Sequence, residues 1–82
     1  MLVLIVDDSL QWMESVCRKL GLDPDVTIAG TASDGMEAVH KAQELRPDLI
    51  LLDVNLPGMD GIKAAREIRK IAPRAAILIY ER

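Results

Sequence analysis

Leu2-Val3-Leu4-Ile5-Val6-Asp7-Asp8 and Leu49-Ile50-Leu51-Leu52-Asp53 share one pattern, an unbroken run of branched apolar residues that ends on carboxylates. An apolar run of this length, without alternation, reads as a strand covered on both faces, as in the parallel sheets of α/β folds. Both acidic ends then lie where a buried strand stops. If the two strands are parallel neighbours, Asp7, Asp8 and Asp53 meet at the carboxyl edge of one sheet. Three carboxylates so placed repel one another unless a cation is present. Hard oxygen ligands on a rigid edge suit Mg²⁺, which takes few carboxylates together with waters and a phosphate oxygen.

Helical patterns and turn signals alternate with such runs along the rest of the chain. Ser9 caps a helix that carries Leu10, Met13, Cys17 and Leu20 on one stripe. Gly21 ends it in the left-handed conformation, with Pro24 close behind. Val26-Thr27-Ile28-Ala29 reads as a second, shorter strand. Asp34 opens the next helix, and Glu37 completes a capping box three residues on. Its apolar face is Ala38, Val39, Ala42 and Leu45, and Pro47 stops it. Pro57-Gly58-Met59-Asp60-Gly61 is a dense turn signal. A third helix carries Ile62, Ala65, Ile68 and Ile71, Pro73 closes it, and Ala75 to Tyr80 reads as a last strand. The order βαβαβαβ predicts a parallel sheet with right-handed crossovers. In a flavodoxin-like order, strands one and three flank the point of reversal, where ligands bind. Those are the strands that end on the aspartates.

The bulk numbers set bounds. A chain of 82 residues, half of them apolar, is one domain over residues 1–82 with a small core. A net charge of −3 argues against nucleic acid as the main partner. Residues 61–82 hold 6 of the 10 basic residues and only 2 of the 13 acidic ones. Arg66, Arg69, Lys70 and Arg74 read as the solvated face of the third helix. The single Cys17 excludes an internal disulfide and fits a reducing cytoplasm, and its neighbours Val16 and Leu20 make it a small core filler. The apolar runs are too short to span a membrane. His40 reads as an exposed helix residue, Trp12 as packing its edge against the neighbours of the first helix, and Met13, Met36 and Met59 as core or loop packing.

Several motifs together resemble the receiver domain of two-component response regulators. They are the Asp7-Asp8 pair, Asp53, the loop Asn55-Leu56-Pro57-Gly58-Met59-Asp60-Gly61, the stretch Ala32-Ser33-Asp34-Gly35-Met36-Glu37-Ala38 and the lead-in Arg46-Pro47-Asp48. The resemblance runs through the whole chain. It implies that Asp53 accepts a phosphoryl group from a sensor histidine kinase. It implies a Mg²⁺ site of Asp7, Asp8, Asp53 and Asn55, with Asp8 a direct ligand, Asp7 a ligand through water and Asn55 a ligand through its backbone carbonyl. Pro57 and Gly58 would shape the loop over the site. Such a module is not an enzyme in the ordinary sense, because the chemistry occurs on itself.

The resemblance also implies parts this sequence does not carry. Receivers continue into a fourth helix, a fifth strand and a fifth helix, whereas Arg82 follows the fourth strand directly. The expected fold is therefore a flavodoxin-like sheet lacking the last helix-strand-helix portion, without the lysine that ends strand five. A Ser or Thr is expected at the end of strand four, and in the common register Glu81 falls there. Tyr80 carries a hydroxyl on a ring long enough to point elsewhere. Without a fifth strand, Ala75 to Tyr80 becomes an exposed apolar edge, and one face of strands one and three is bared. Self-association through that edge, as a homo-oligomer, is the expected remedy. A degenerate receiver acting in dimerisation or protein interaction without phosphorylation is the alternative function. An aspartyl phosphatase of the haloacid dehalogenase kind ranks last, because Asn55 stands where its second aspartate is needed.

Overall fold

The structure is a computed structural model and describes residues 1–81. Strands and helices alternate as β1 (Leu2–Val6), α1 (Leu10–Leu20), β2 (Thr27–Ala32), α2 (Gly35–Leu45), β3 (Leu49–Asp53), α3 (Gly61–Ile71) and β4 (Ala76–Tyr80). Every strand pairing is parallel and the sheet order is β2-β1-β3-β4. This is the expected flavodoxin-like α/β arrangement, with β1 and β3 adjacent at the point of reversal.

The unbroken apolar runs have a direct cause. Successive residues of β1 serve opposite layers. Leu4 and Val6 join Ile50 and Leu52 of β3 against Ala38 and Ala42 of α2 and Ala64 and Ile68 of α3. Val3 and Ile5 meet Met13 of α1, with Val16, Cys17 and Leu20 packed beside it. All four residues Val3 to Val6 are fully buried. Each such side chain contributes about 1.5–3 kcal/mol relative to exposure, so a polar residue anywhere in the run would be costly.

The boundaries differ from the sequence reading where pairing overrides propensity. β2 starts at Thr27, one residue late, and runs on through Gly30 and Thr31 to Ala32. Its partner β1 needs hydrogen bonds along its whole length, and a register shift between Val3 and Leu4 carries the pairing from Ile28 to Gly30. Gly30 suits the close packing there, since a Cβ would lie 2.9 Å from Leu45 Cδ1 of α2 and would push that methyl aside. Three stripe residues are exposed: Leu10 in the first turn of α1, and Ile62 and Ile71 of α3. In α3 the buried positions are Gly61, Ala64 and Ile68, because the close approach of Gly61 to the end of β3 sets the helix's rotation. Met36 is exposed as well, on the outer side of α2's first turn.

Ser9 and Asp34 cap as expected, accepting from the backbone N–H groups of Trp12 and Glu37. Glu37 reaches back to the N–H of Ser33, one residue before the cap. Asp60 caps α3 in the same way, with the N–H of Lys63 as donor. Gly21 is not left-handed: its φ of −65° continues the right-handed path into a further turn. The left-handed residue is Arg46, at φ 49°, where α2 must leave its helical path before the buried Pro47. A side chain in this region costs about 1–2 kcal/mol, partly offset by glycine's greater chain entropy. Arg46→Gly is therefore expected to raise stability by up to about 1 kcal/mol, read as a higher urea midpoint with an unchanged slope.

Arg69 is more than a solvated face residue. Its guanidinium donates to the carbonyls of Pro73 and Ala75 and ties the α3–β4 turn. The lead-in to β3 also acquires a reason, because Asp48 Oδ2 accepts from the N–H of Leu2 at 2.7 Å and so sets the start of the β1–β3 pairing.

Cover is uneven on the α1 face. α1 covers Val3 and Ile5 of β1, so the expectation that this face of β1 would be bared fails. Leu49 and Leu51 of β3 are only half-buried, and Leu78 of β4 is 57 % exposed. β4 is an edge strand among the described residues.

Candidate functional site

Parallel register builds the acid site. Val6 pairs with Leu52, and Asp53 pairs with Tyr80. Asp7, Asp53 and Tyr80 therefore form one row across the carboxyl ends of three adjacent strands. Paired residues of parallel strands point to the same face, so the row continues Ile5, Leu51 and Leu78 on the α1 side. Asp7 and Asp53 are buried, Asp8 is exposed, and carboxylate oxygens of all three lie within 4.8 Å of one another.

Each buried aspartate is oriented by its own chain. Asp7 Oδ1 accepts the N–H of Ser9 at 2.8 Å, and Asp53 Oδ1 accepts the N–H of Asn55 at 3.0 Å. These short turns hold the carboxylates in place as the chain leaves each strand. Asn55 is itself exposed and keeps its backbone beside Asp53. The donor set is hard oxygen on a fixed edge, which fits Mg²⁺ rather than a softer ion.

The loop after β3 is seated by two close approaches. A Cβ at Gly61 would lie 2.5 Å from both Asp53 O and Val54 Cα, and one at Gly35 would lie 2.6 Å from Met59 Cβ. Gly58 takes a left-handed φ of 78°, and Pro57 and Gly58 line a groove with Asp34, Met36, Met59 and Lys63. Glu81 is exposed, one residue past the row.

Tyr80 is the residue that sequence reasoning missed. Its hydroxyl points into the site and donates to Asp7 Oδ2 at 2.8 Å. Trp12 Nε1 in turn donates to the Tyr80 oxygen at 3.0 Å, with the two rings tilted at a centroid distance of 6.1 Å. The neighbour that Trp12 packs against is thus β4, through Tyr80. The signal was the pairing itself: if Ala76 is level with Leu49, position 80 falls level with Asp53.

Burial first, then the hydrogen bond to Asp7, hold the Tyr80 phenol well above the ordinary tyrosine value; the charges of Asp7 and Asp53 add to this, and only the Trp12 bond opposes it. Between the unfolded value of about 10 and the higher folded one, the folded chain holds a proton that the unfolded chain has lost. The resulting stability is complete below about pH 10 and is lost as pH rises above it. Tyr80 is the chain's single tyrosine. Tyrosinate absorbance is therefore expected to appear only together with alkaline unfolding, and ionisation near pH 10 in a folded chain would contradict the buried bond.

A parallel α/β sheet with an acid cluster at its reversal point is one class of site, and the comparisons with known proteins specify it. Residues 3–81 match the response regulator receiver domain family. The receiver domain of Thermotoga maritima CheB superposes with a TM-score of 0.94 at 38 % identity, covering 99 % of this chain and 60 % of that one. A LuxR-family response regulator from Aurantimonas sp. gives 0.92 at 34 %, over 98 % and 57 %. A Borrelia burgdorferi structure of CheY with CheX, BeF3 and Mg²⁺ gives 0.89 at 31 %, over 99 % and 61 %. No curated protein sequence gives a significant match. The chain belongs to the response regulator receiver domain family. It spans about six tenths of the length of these structural relatives.

Proposed function

We propose that this chain is a phosphoacceptor module of two-component signalling, in which Asp53 takes a phosphoryl group from a sensor histidine kinase. The observation that carries this reading is the convergence of Asp7, Asp8 and Asp53 within 4.8 Å at the carboxyl edge of the sheet. A carboxylate oxygen of Asp53 forms the new P–O bond as the donor's P–N bond to histidine breaks. Asp8 directly, Asp7 through water and the backbone carbonyl of Asn55 would hold Mg²⁺. When bound, the cation neutralises charge on the transferring group. The chain's own part is to fix the Asp53 carboxylate, which the Asn55 N–H does, and to shape the loop at Pro57 and Gly58. The product adds roughly −1.5 to −2 of charge at the site. Glu81, beside the row, would repel that charge rather than bind it, so switching is expected to be weaker than in receivers with a hydroxyl residue there.

Incubation with acetyl phosphate and Mg²⁺, followed by intact mass measurement, tests the reading. One added phosphoryl group that disappears under alkaline hydrolysis is the expected result, and an unchanged mass together with no Mg²⁺ affinity would overturn it. The alternative, a receiver working only through interaction, is not favoured, because the acid cluster is complete. Receiver domains are in general not catalytic enzymes, and phosphorylation of its own Asp53 is the only chemistry proposed.

The remaining proposals concern surroundings. None of the described helices is long and apolar enough to cross a membrane, and the free Cys17 fits the cytoplasm. Direct binding to nucleic acid is not proposed. Leu78 and Ile79 on the β4 edge, with half-buried Leu49 and Leu51 beside them, support self-association of the 82-residue chain through β4. Sedimentation is expected to show a dimer or larger species at micromolar concentration, and Leu78→Lys is expected to shift it toward monomer. A compact wild-type monomer would refute this.

A further inference from the structure

We propose that Tyr80 is a positioning residue that holds the cation-free acid site together and competes with the cation for Asp7. The inference rests on the reading of Asp7, Asp8 and Asp53 as an Mg²⁺ site. Both oxygens of the buried Asp7 carboxylate are engaged, Oδ1 by the Ser9 N–H at 2.8 Å and Oδ2 by the Tyr80 hydroxyl at 2.8 Å. A cation, or a water it holds, must share these oxygens. A hydrogen bond to a carboxylate is strong because the acceptor is charged. A cation draws that charge away, so the hydroxyl stabilises the empty site more than the loaded one. Trp12 strengthens the effect, since its donation to the Tyr80 oxygen polarises the O–H toward Asp7. Three carboxylates within 4.8 Å also need a neutralising donor most when no cation is present.

The consequence is a pair of opposite shifts. Tyr80→Phe keeps the ring and removes the hydroxyl. It is expected to lower the urea midpoint in Mg²⁺-free buffer and, at the same time, to tighten Mg²⁺ binding by about three- to tenfold. A merely structural tyrosine would lower both stability and affinity. Calorimetric titration of MgCl2 into the wild-type chain and Tyr80→Phe, with urea unfolding of each followed by circular dichroism, reads both quantities. An equal or weaker Mg²⁺ affinity in a folded Tyr80→Phe overturns the inference while leaving the cation site standing. No Mg²⁺ binding by the wild-type chain overturns the cation site itself, and this inference with it. Should Tyr80→Phe fail to fold, Trp12→Phe retains the hydroxyl and removes only its polarising donor. A smaller tightening is then expected, and an unchanged or weaker affinity overturns the inference.

Discussion

Asp53→Asn is expected to abolish phosphoryl uptake and to weaken Mg²⁺ binding by at least about tenfold, the lower end of what losing even a supporting partner of a metal site costs, while the fold stays intact. The isosteric amide keeps an oxygen for the Asn55 N–H, so the turn after β3 keeps its 3.0 Å hydrogen bond. It loses the charge that a cation needs and the anionic oxygen that attacks phosphorus. Intact mass after acetyl phosphate and Mg²⁺ checks the first effect, calorimetry the second and circular dichroism the third. An adduct at wild-type yield would mean that the acceptor is another residue, with the exposed Asp8 the first to examine.

Gly61→Ala is expected to be the most damaging small change in the chain. The added Cβ would lie 2.5 Å from Asp53 O and from Val54 Cα, which are backbone atoms and cannot swing aside. The end of β3 is itself pinned, since the N–H of Val54 donates to Tyr80 O at 2.8 Å. α3 must then lift from the sheet and take Ala64 and Ile68 out of the core. A loss of about 3 kcal/mol follows, at the upper end of overpacking costs. In a domain this small that is a large share of the total and lowers Tm by roughly 10–20 °C. Thermal unfolding measures it, and Gly58→Ala is the control. Gly58 has a left-handed φ of 78° but nothing within 4 Å of its Cβ position, so only strain of about 1–2 kcal/mol applies. Similar effects for the two variants would contradict the steric argument.

The fold was legible because its cause is local and repeated. Val3 to Val6 are apolar without alternation since two layers need them, and the residue types alone carry that pattern. The acid cluster was legible for the same reason, because its residues end the runs that define the sheet. What escaped depends on spatial neighbours. Gly30 fell outside the strand read as Val26 to Ala29, although it pairs with Leu4 and packs under Leu45, and Gly21 read as a left-handed cap until the chain is seen to continue helically. Tyr80 escaped because a long side chain was assigned no direction, although strand parity fixes its face once the partner of β3 is known. Arg69 read as one charge among several, since the carbonyls it holds lie in the turn that follows.

The row Asp7, Asp53 and Tyr80 also sets a time order. Tyr80 and Asp7 are 73 residues apart, and only lateral strand pairing brings them level. At synthesis rates of about 5–20 residues per second, β1 leaves the ribosome seconds before β4 can join it. Contacts of such long sequence separation also close late in folding. The bond from Tyr80 to Asp7 thus has no partial version on a growing chain. A nascent chain that has made Asp53 but not yet paired β4 lacks the donor to Asp7, and the cation-free carboxylates gain that bond only once Tyr80 has emerged and its strand has docked beside β3.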